Sequence, residues 1–343
     1  MTRFWMTAAL AATLSASSAY AQEVTLRFQH FVSPNSANPR YFIEPWAEKI
    51  ETESDGRIKV EIYPFMQLGG SAPEQYDLIV DGIIDGGWVI PGYTAGRFPE
   101  TEAMELPFMG PKSGEQASIA AWNFTQKYLM DDFEDVHLIA AHMHGPGLVH
   151  LKGEGPKTVE DLQGKKLRGP SRTATMLLEK LGASPIGMPV PQFPEALSKG
   201  VLDGGVITWE MAPSLKLDEL TDSHTDVAGD DALYNLFFIW AMNKDIYESL
   251  PDDLRAVIDA NSGLETSAWA GRAHDTGDTW GKDLMAEAGN EINELSEAET
   301  DRLKALGEEV TQEWIADMDS KGLPGQQLVD DARAMVEEAR ATE

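Results

Sequence analysis

The sequence predicts an α/β protein of two lobes, and three observations carry that reading. The chain opens as strand, helix, strand. Val24 to Gln29 alternates, Phe42, Ile43, Trp46, Ala47 and Ile50 share one helical face, and Arg57 to Tyr63 is extended again; a crossover of this kind favours parallel strands. The chain has 343 residues, 42% hydrophobic and 24% charged, which allows two domains of ordinary size with apolar cores. Finally, Gly145-Pro146-Gly147 punctuates the middle of the chain, and a new series of strands and helices begins after it. With no internal repeat and no low-complexity linker, several crossings are expected to tie the lobes together.

The elements follow in order. Arg3, the apolar run Phe4 to Leu14 and the ending Ala19-Tyr20-Ala21 read as a signal peptide cleaved after Ala21, because the run is shorter than the roughly 20 residues of a membrane span. Residues 22–145 with about 230–270 are expected to form lobe I, and 146–229 with about 271–343 lobe II. In lobe I, Pro39 to Ile50 is helical with Pro45 as a bend, and Ser71-Ala72-Pro73-Glu74 reads as a capping box opening a helix to Val80. Asp85 to Ile90 is a short apolar strand, Ser113 to Leu129 a helix, and Val136 to His142 a strand. Beyond the boundary, Leu148 to Lys152 is extended and Thr158 to Asp161 is a capped turn. Leu233 to Met242 is apolar throughout, as a fully buried strand would be. Ser249 is placed to cap one long helix from Pro251 to about Ala288, interrupted by Gly263, Gly271 and Gly277. Ser296 with Glu299 caps another through Met318, and Gln327 to Arg340 is a last amphipathic helix.

The formal net charge is −30 and there is no cysteine. That charge excludes nucleic acid as a natural partner, because phosphate binding needs clustered Lys and Arg. It also disfavours anionic membranes, and it suits a salty habitat where such charge is screened. Thiol nucleophiles, iron–sulfur clusters and thiolate zinc sites are excluded. His142 and His144 share a strand face, with His150 nearby, but no third ligand stands at metal-site spacing and no His-Glu-x-x-His occurs; no metal and no cofactor are expected. Asp252-Asp253 and Asp330-Asp331 suit capping and solvation. There is no nucleophile elbow, and the Gly-Gly pairs make no phosphate loop.

The stretch from Gly164 to Trp209 concentrates what chemistry there is. Lys165 to Arg168 is extended and stops at Gly169-Pro170, a helical run follows from Thr173 to Leu181, and Gly204 to Ile207 is apolar and ends in Thr208-Trp209. In open α/β proteins ligands collect at strand ends. Arg168 and Arg172, close together in so acidic a chain, read as a place for an anion or as surface charges. Phe31, Tyr63, Phe65, Trp88, Tyr93 and Trp209 lie near strand ends, and Phe65, Trp88, Tyr93 and Trp209 each abut a Pro/Gly-rich loop, positions that face a cleft between lobes.

Several stretches resemble the substrate-binding proteins of tripartite ATP-independent periplasmic (TRAP) transporters, the DctP-like group. They are Ser54-Asp55-Gly56-Arg57-Ile58-Lys59-Val60 into Tyr63-Pro64 and Gln67-Leu68-Gly69; Phe98-Pro99 with Glu105-Leu106-Pro107-Phe108; Gly164-Lys165-Lys166-Leu167-Arg168; Gly182-Ala183-Ser184-Pro185 with Met188-Pro189; and Glu195-Ala196-Leu197 with Gly200-Val201-Leu202-Asp203-Gly204. Their order and spacing agree from about Val24 to about Pro251. The resemblance implies a two-lobed periplasmic-binding-protein-like (Venus flytrap) fold whose lobes close on a ligand, with a long helix touching both. It implies that Arg168 matches the family's arginine for the ligand carboxylate, which a guanidinium fork fits bidentately. It also implies a periplasmic, monomeric, non-catalytic receptor with no stable membrane insertion, serving a small and a large TRAP membrane subunit.

Departures from the sugar-acid-binding members narrow the ligand. Their asparagine after Asp-Gly is Ile207 here, and the second arginine they carry ahead of the first falls at Leu148. The expected ligand is therefore a small organic monocarboxylate, aromatic or branched, held by Arg168 and Arg172 with Trp209, Trp88, Tyr93, Phe65, Phe31 and Ile207 around it. Rival readings are a C4-dicarboxylate receptor, a sensory binding protein of the same shape, an exported hydrolase, and an acidic scaffold.

Overall fold

A computed structural model describes residues 22–341. The expected signal peptide, 1–21, lies outside the described residues. Among the described residues there are eleven strands: β1 (Val24–Gln29), β2 (Ile58–Tyr63), β3 (Gly86–Val89), β4 (Val136–Met143), β5 (Gly147–Leu151), β6 (Lys166–Gly169), β7 (Ser184–Gly187), β8 (Gly204–Thr208), β9 (Ser223–Asp226), β10 (Phe237–Asn243) and β11 (Glu291–Glu294). They make two mixed sheets, ordered β2-β1-β3-β10-β4 and β11-β9-β5-β8-β6-β7. The opening crossover is parallel as expected, β1 pairing with both β2 and β3. The apolar run at 233–242 does become a buried strand, but β10 is antiparallel to both its neighbours. It is fully buried because both faces of its sheet are covered. Phe238, Trp240 and Met242 join one apolar cluster, while Phe237, Ile239 and Ala241 join the other.

The chain crosses between sheets from β4 to β5, again from β9 to β10, and along the helix Leu264–Glu287. That helix starts against the first sheet, where Gly263 N–H donates to the Ile139 carbonyl at 2.8 Å, and it ends ahead of β11. Its glycines are points of close approach. A Cβ on Gly271 would fall 2.2 Å from the Gly114 carbonyl oxygen, and one on Gly281 would fall 2.0 Å from the Trp209 carbonyl oxygen. Without side chains there, one helix lies flush on both lobes.

Local differences have local causes. Where the spacing predicts one helix from Pro251, the chain forms Asp252–Ala260 and Leu264–Glu287, parted at Gly263 with φ +98°. Ser249 does not cap the first of them; its hydroxyl donates to the Ile246 carbonyl at 2.7 Å. At Ser71 the hydroxyl bonds to the Glu74 carboxylate at 2.7 Å and accepts nothing from the backbone, so no capping box forms there. The final helix Gly325–Arg340 packs on Gly114–Phe124 and Pro99–Glu105, elements of the first lobe. The expectation placed 271–343 wholly with lobe II. Amphipathicity shows that Leu328, Val329, Ala332 and Val336 need an apolar partner, without saying which lobe supplies it.

Candidate functional site

A small cavity of about 30 Å³ lies between the lobes, well below the roughly 300–1,000 Å³ usual for small-molecule sites. The first lobe contributes Phe31 and Val32 after β1, Trp88 from β3, Ile90 and Tyr93 after it, and Phe238 from β10; Tyr234 and Leu236 come from the crossing segment before β10. The second lobe contributes Arg168 at the end of β6, Val190, Ile207 and Thr208 from β8, and Glu210 and Met211 beyond it; His144 sits at the β4–β5 crossing. The wall is mainly apolar. Trp88 lies parallel to Phe31 (5.0 Å between centroids, 7°) and close to parallel with Phe238 (4.9 Å, 16°). Trp88 Nε1–H donates to His142 Nε2 at 2.9 Å, which fixes the indole.

Arg168 is wholly buried. Its Nε donates to the Met188 carbonyl at 3.1 Å and its Nη1 to the Val206 carbonyl at 3.0 Å. Nη2 is buried without a partner. Among the described residues, no carboxylate lies within ion-pair distance of it. The side chain crosses β8 over Gly205, its register partner; a Cβ on Gly205 would come within 2.8 Å of the Arg168 Cβ and of the Phe193 ring. Gly205 thus leaves the room for the arginine stem. A buried cation with an unused donor is costly unless an anion meets it.

Two phenols stand near the guanidinium. Tyr93 Oη accepts the Val190 N–H at 3.0 Å, which leaves its own proton free to donate, and it links the two lobes. Tyr234 Oη is buried and unpartnered. Burial pushes both phenols above their ordinary range, opposed in each by the positive charge of Arg168. Each therefore stays a neutral donor at physiological pH. His144 supplies no second cation. Its Nε2 accepts the Leu236 N–H at 3.0 Å, its Nδ1 bonds the Gly145 carbonyl at 2.7 Å, and burial lowers its pKa to about 3.

Of the residues singled out from sequence, Arg168, Trp88, Tyr93, Phe31 and Ile207 meet on this cavity, and three do not. Arg172 opens the helix Arg172–Lys180 and turns away. Its Nε donates to Glu102 Oε1 at 2.9 Å, and Nη1 lies 3.1 Å from Asp317 Oδ2. Glu102 also accepts the Trp314 Nε1–H at 2.9 Å. The Arg172 charge is therefore spent on a buried carboxylate. Trp209 is buried against His150 and His224, its ring 5.9 and 5.5 Å from theirs. The strand's alternation ends at Thr208, so Trp209 does not continue the face of Ile207. Phe65 is 59% exposed, swung outward by a loop in which it takes φ +54°, and lines only a separate outer groove that it shares with Phe31 and Val32. Arg172 lines a separate groove on the other side of Tyr93 and not this cavity, so Arg172→Ala is expected to alter ligand affinity far less than loss of Arg168. It should still destabilise the fold by about 1–3 kcal/mol by leaving Glu102 without its cation. Urea unfolding and titration calorimetry on the same variant check both halves.

Tyr234, Phe238, Thr208 and Glu210 are cavity residues without a sequence motif. Tyr234 and Phe238 hide in a run that reads as core. Glu210 had one available signal, a carboxylate placed directly after a buried strand end.

The clustered histidines hold no metal-like arrangement; among the described residues no group of three or more His, Cys, Asp or Glu is placed to bind an ion. No helix among them is long and apolar enough to cross a membrane.

The family model for bacterial extracellular solute-binding protein, family 7, matches residues 28–317. A TRAP solute-binding protein from Rhodoferax ferrireducens, solved with copurified benzoate, is 44% identical, with a TM-score of 0.90 over 92% of this chain and 98% of that one. A marine metagenome TRAP protein specific for aromatic acid ligands, solved with 3-hydroxybenzoate, is 44% identical with a TM-score of 0.91, over 93% and 99% of the two chains. A TRAP protein from Bordetella bronchiseptica, solved with both mandelate enantiomers, is 29% identical with a TM-score of 0.84, over 92% and 99%. Among curated proteins, the outer membrane transporter protein TsaT of Comamonas testosteroni is 27% identical over 333 residues, 96% of each chain.

Proposed function

The chain belongs to family 7 of the bacterial extracellular solute-binding proteins, and from that premise we propose that it is the periplasmic receptor of a TRAP transporter for a small aromatic monocarboxylate. The observation that carries this reading is the buried Arg168 guanidinium, with one donor unspent, opening on a cavity walled by stacked aromatic rings. The ligand carboxylate would take Nη2–H from Arg168, supported by the phenolic O–H groups of Tyr93 and Tyr234. Such charge-assisted hydrogen bonds are worth roughly 1.5–3 kcal/mol each when water is excluded. The ring would lie against the Phe31, Trp88 and Phe238 side of the cavity, where aromatic contacts add on the order of 1 kcal/mol beyond burial. The related proteins solved with benzoate, 3-hydroxybenzoate and mandelate support the same class.

A C4-dicarboxylate fits poorly. Arg168 is the cavity's cation, and a second carboxylate would meet no other cation, only Glu210. No step of covalent chemistry is assigned. The receptor binds, closes, and delivers its cargo to a small and a large membrane subunit, ligand binding shifting the lobes toward the closed form. Links across the cleft, Tyr93 to Val190 and Thr173 Oγ1 to the Glu105 carbonyl at 2.9 Å, belong to that closed form.

A thermal-shift screen of the mature protein against aromatic, branched-chain and C4 acids tests the reading. A ligand that binds only the native state raises the melting midpoint with concentration. Benzoate-class acids should do so and succinate should not; a response to C4 acids alone would overturn it.

A further inference from the structure

The inference rests on the aromatic-acid reading and concerns what else the ligand carries. Glu210 lines the cavity and is 2% exposed. Its Oε1 is engaged twice, by His274 Nδ1 and by Thr208 Oγ1, each at 3.2 Å. Asn38 Nδ2 lies 3.1 Å from His274 Nε2. The amide donates there, so the imidazole proton sits on Nδ1 and faces Glu210. Oε2 is buried and has no partner.

The side chain is also held in place. Glu210 N–H donates to Asp278 Oδ1 at 2.9 Å. The other Asp278 oxygen lies against Gly145, where a Cβ would be 2.2 Å from it, so it does not serve Glu210. On the helix side, a Cβ on Gly277 would come within 2.7 Å of the Glu210 Cβ, so Gly277 lets the helix back the residue closely. A buried carboxylate oxygen with unused acceptor capacity is unfavourable unless a donor reaches it. Of the cavity's polar side chains, Thr208 is already engaged at Oε1, and the Tyr234 hydroxyl, itself without a partner, makes no hydrogen bond to Oε2.

We propose that Glu210 Oε2 accepts the O–H of a hydroxyl group on the ligand, so that the receptor selects hydroxylated aromatic monocarboxylates over the unsubstituted acid. Arg168 reads the carboxylate and Glu210 reads the hydroxyl. The two groups have opposite charge, so they also orient the ring, because a reversed ligand would set its carboxylate against Glu210. The hydroxyl must stand away from the carboxylate; an ortho hydroxyl is occupied by its internal hydrogen bond.

Titration calorimetry with benzoate, 2-, 3- and 4-hydroxybenzoate, and 3- and 4-fluorobenzoate tests this on the wild-type protein and on E210Q. At least one of the 3- and 4-hydroxy acids should bind about tenfold or more tightly than benzoate, the worth of one hydrogen bond to a charged group. The fluoro analogues, similar in size but lacking the proton, should show no such gain. In E210Q the charged acceptor is gone, the His274 Nδ1–H competes for the one oxygen left, and the amide N–H can only donate a weaker neutral hydrogen bond to the hydroxyl oxygen, so the preference for the hydroxy acid over benzoate should fall several-fold. Equal binding of benzoate and both hydroxy acids to the wild-type protein, or an unchanged preference in E210Q, would overturn the proposal. The wild-type comparison with the fluoro analogues decides it even where E210Q does not fold. Failure of every aromatic acid to bind would refute the functional reading as well; binding of benzoate without a hydroxyl preference would refute this inference alone.

Discussion

The folded protein is expected to lose stability steeply as the pH falls below about 6.5. His30, His142, His144, His150 and His224 are all buried, and burial lowers every one of their pKa values. His30 and His224 fall to about 4 and His144 to about 3, while His142 and His150 fall well below the ordinary value. The hydrogen bonds of His142, His144, His150 and His224 suit neutral rings. His150 Nδ1 and His224 Nδ1 share one proton across 2.6 Å, which both rings charged would forbid. Between about pH 6.5 and 5 the unfolded chain therefore binds these protons and the folded chain does not, so stability falls with the pH.

Buried carboxyls act in the opposite sense, Glu105 and Asp278 foremost. Glu105 is pushed up to about 8 by burial and Asp278 well above its ordinary value, so the folded state holds their protons where the unfolded state does not, and stability rises as pH falls toward 6.5. The buried histidines outnumber these carboxyls, so below about pH 6.5 the net effect of acid is loss of stability. Urea unfolding across pH 5 to 8 should show a maximum near neutrality and a steep acid limb. A flat profile down to about pH 5 would contradict the neutral-histidine account.

Replacing Arg168 with alanine should abolish ligand binding at ordinary concentrations. A carboxylate then enters the cavity without its cation, a loss of about 2–5 kcal/mol, or roughly thirtyfold to several thousandfold in Kd. No neighbour compensates: His144 is neutral, and Arg172 is committed to Glu102. Arg168→Lys should recover only part of the affinity, because a compact ammonium cannot reproduce the planar fork that reaches Met188, Val206 and the ligand at once. Calorimetric titration with benzoate, beside Arg172→Ala as the control, checks the order wild type, then Lys, then Ala.

Much of the fold is legible in local pattern. The β1 alternation, the Gly145-Pro146-Gly147 crossing and the Ser296 cap are short-range signals, and the chain obeys them; Ser296 Oγ accepts the Glu299 N–H at 3.3 Å. Strands β7, β9 and β11 are not legible. Each is four residues long, and β7 and β11 are edge strands, which carry little hydrophobic periodicity. The antiparallel course of β10 is set by which strands flank it, and that is not local information. The same division holds at the cavity. A charged residue at a strand end before Gly-Pro draws attention to Arg168. Whether a second arginine four residues on is free or paired depends on Glu102 and Asp317, far away in sequence. Tyr234 and Glu210 reach the cavity only because two lobes fold together.

The most direct measurement is a crystal structure of the protein with a bound aromatic acid. The account predicts the carboxylate within hydrogen-bond distance of Arg168 Nη2 and the ring on the Phe31, Trp88 and Phe238 side of a closed cleft. A carboxylate bound at Arg172, or a ligand seated in the outer groove beside Phe65, would contradict it.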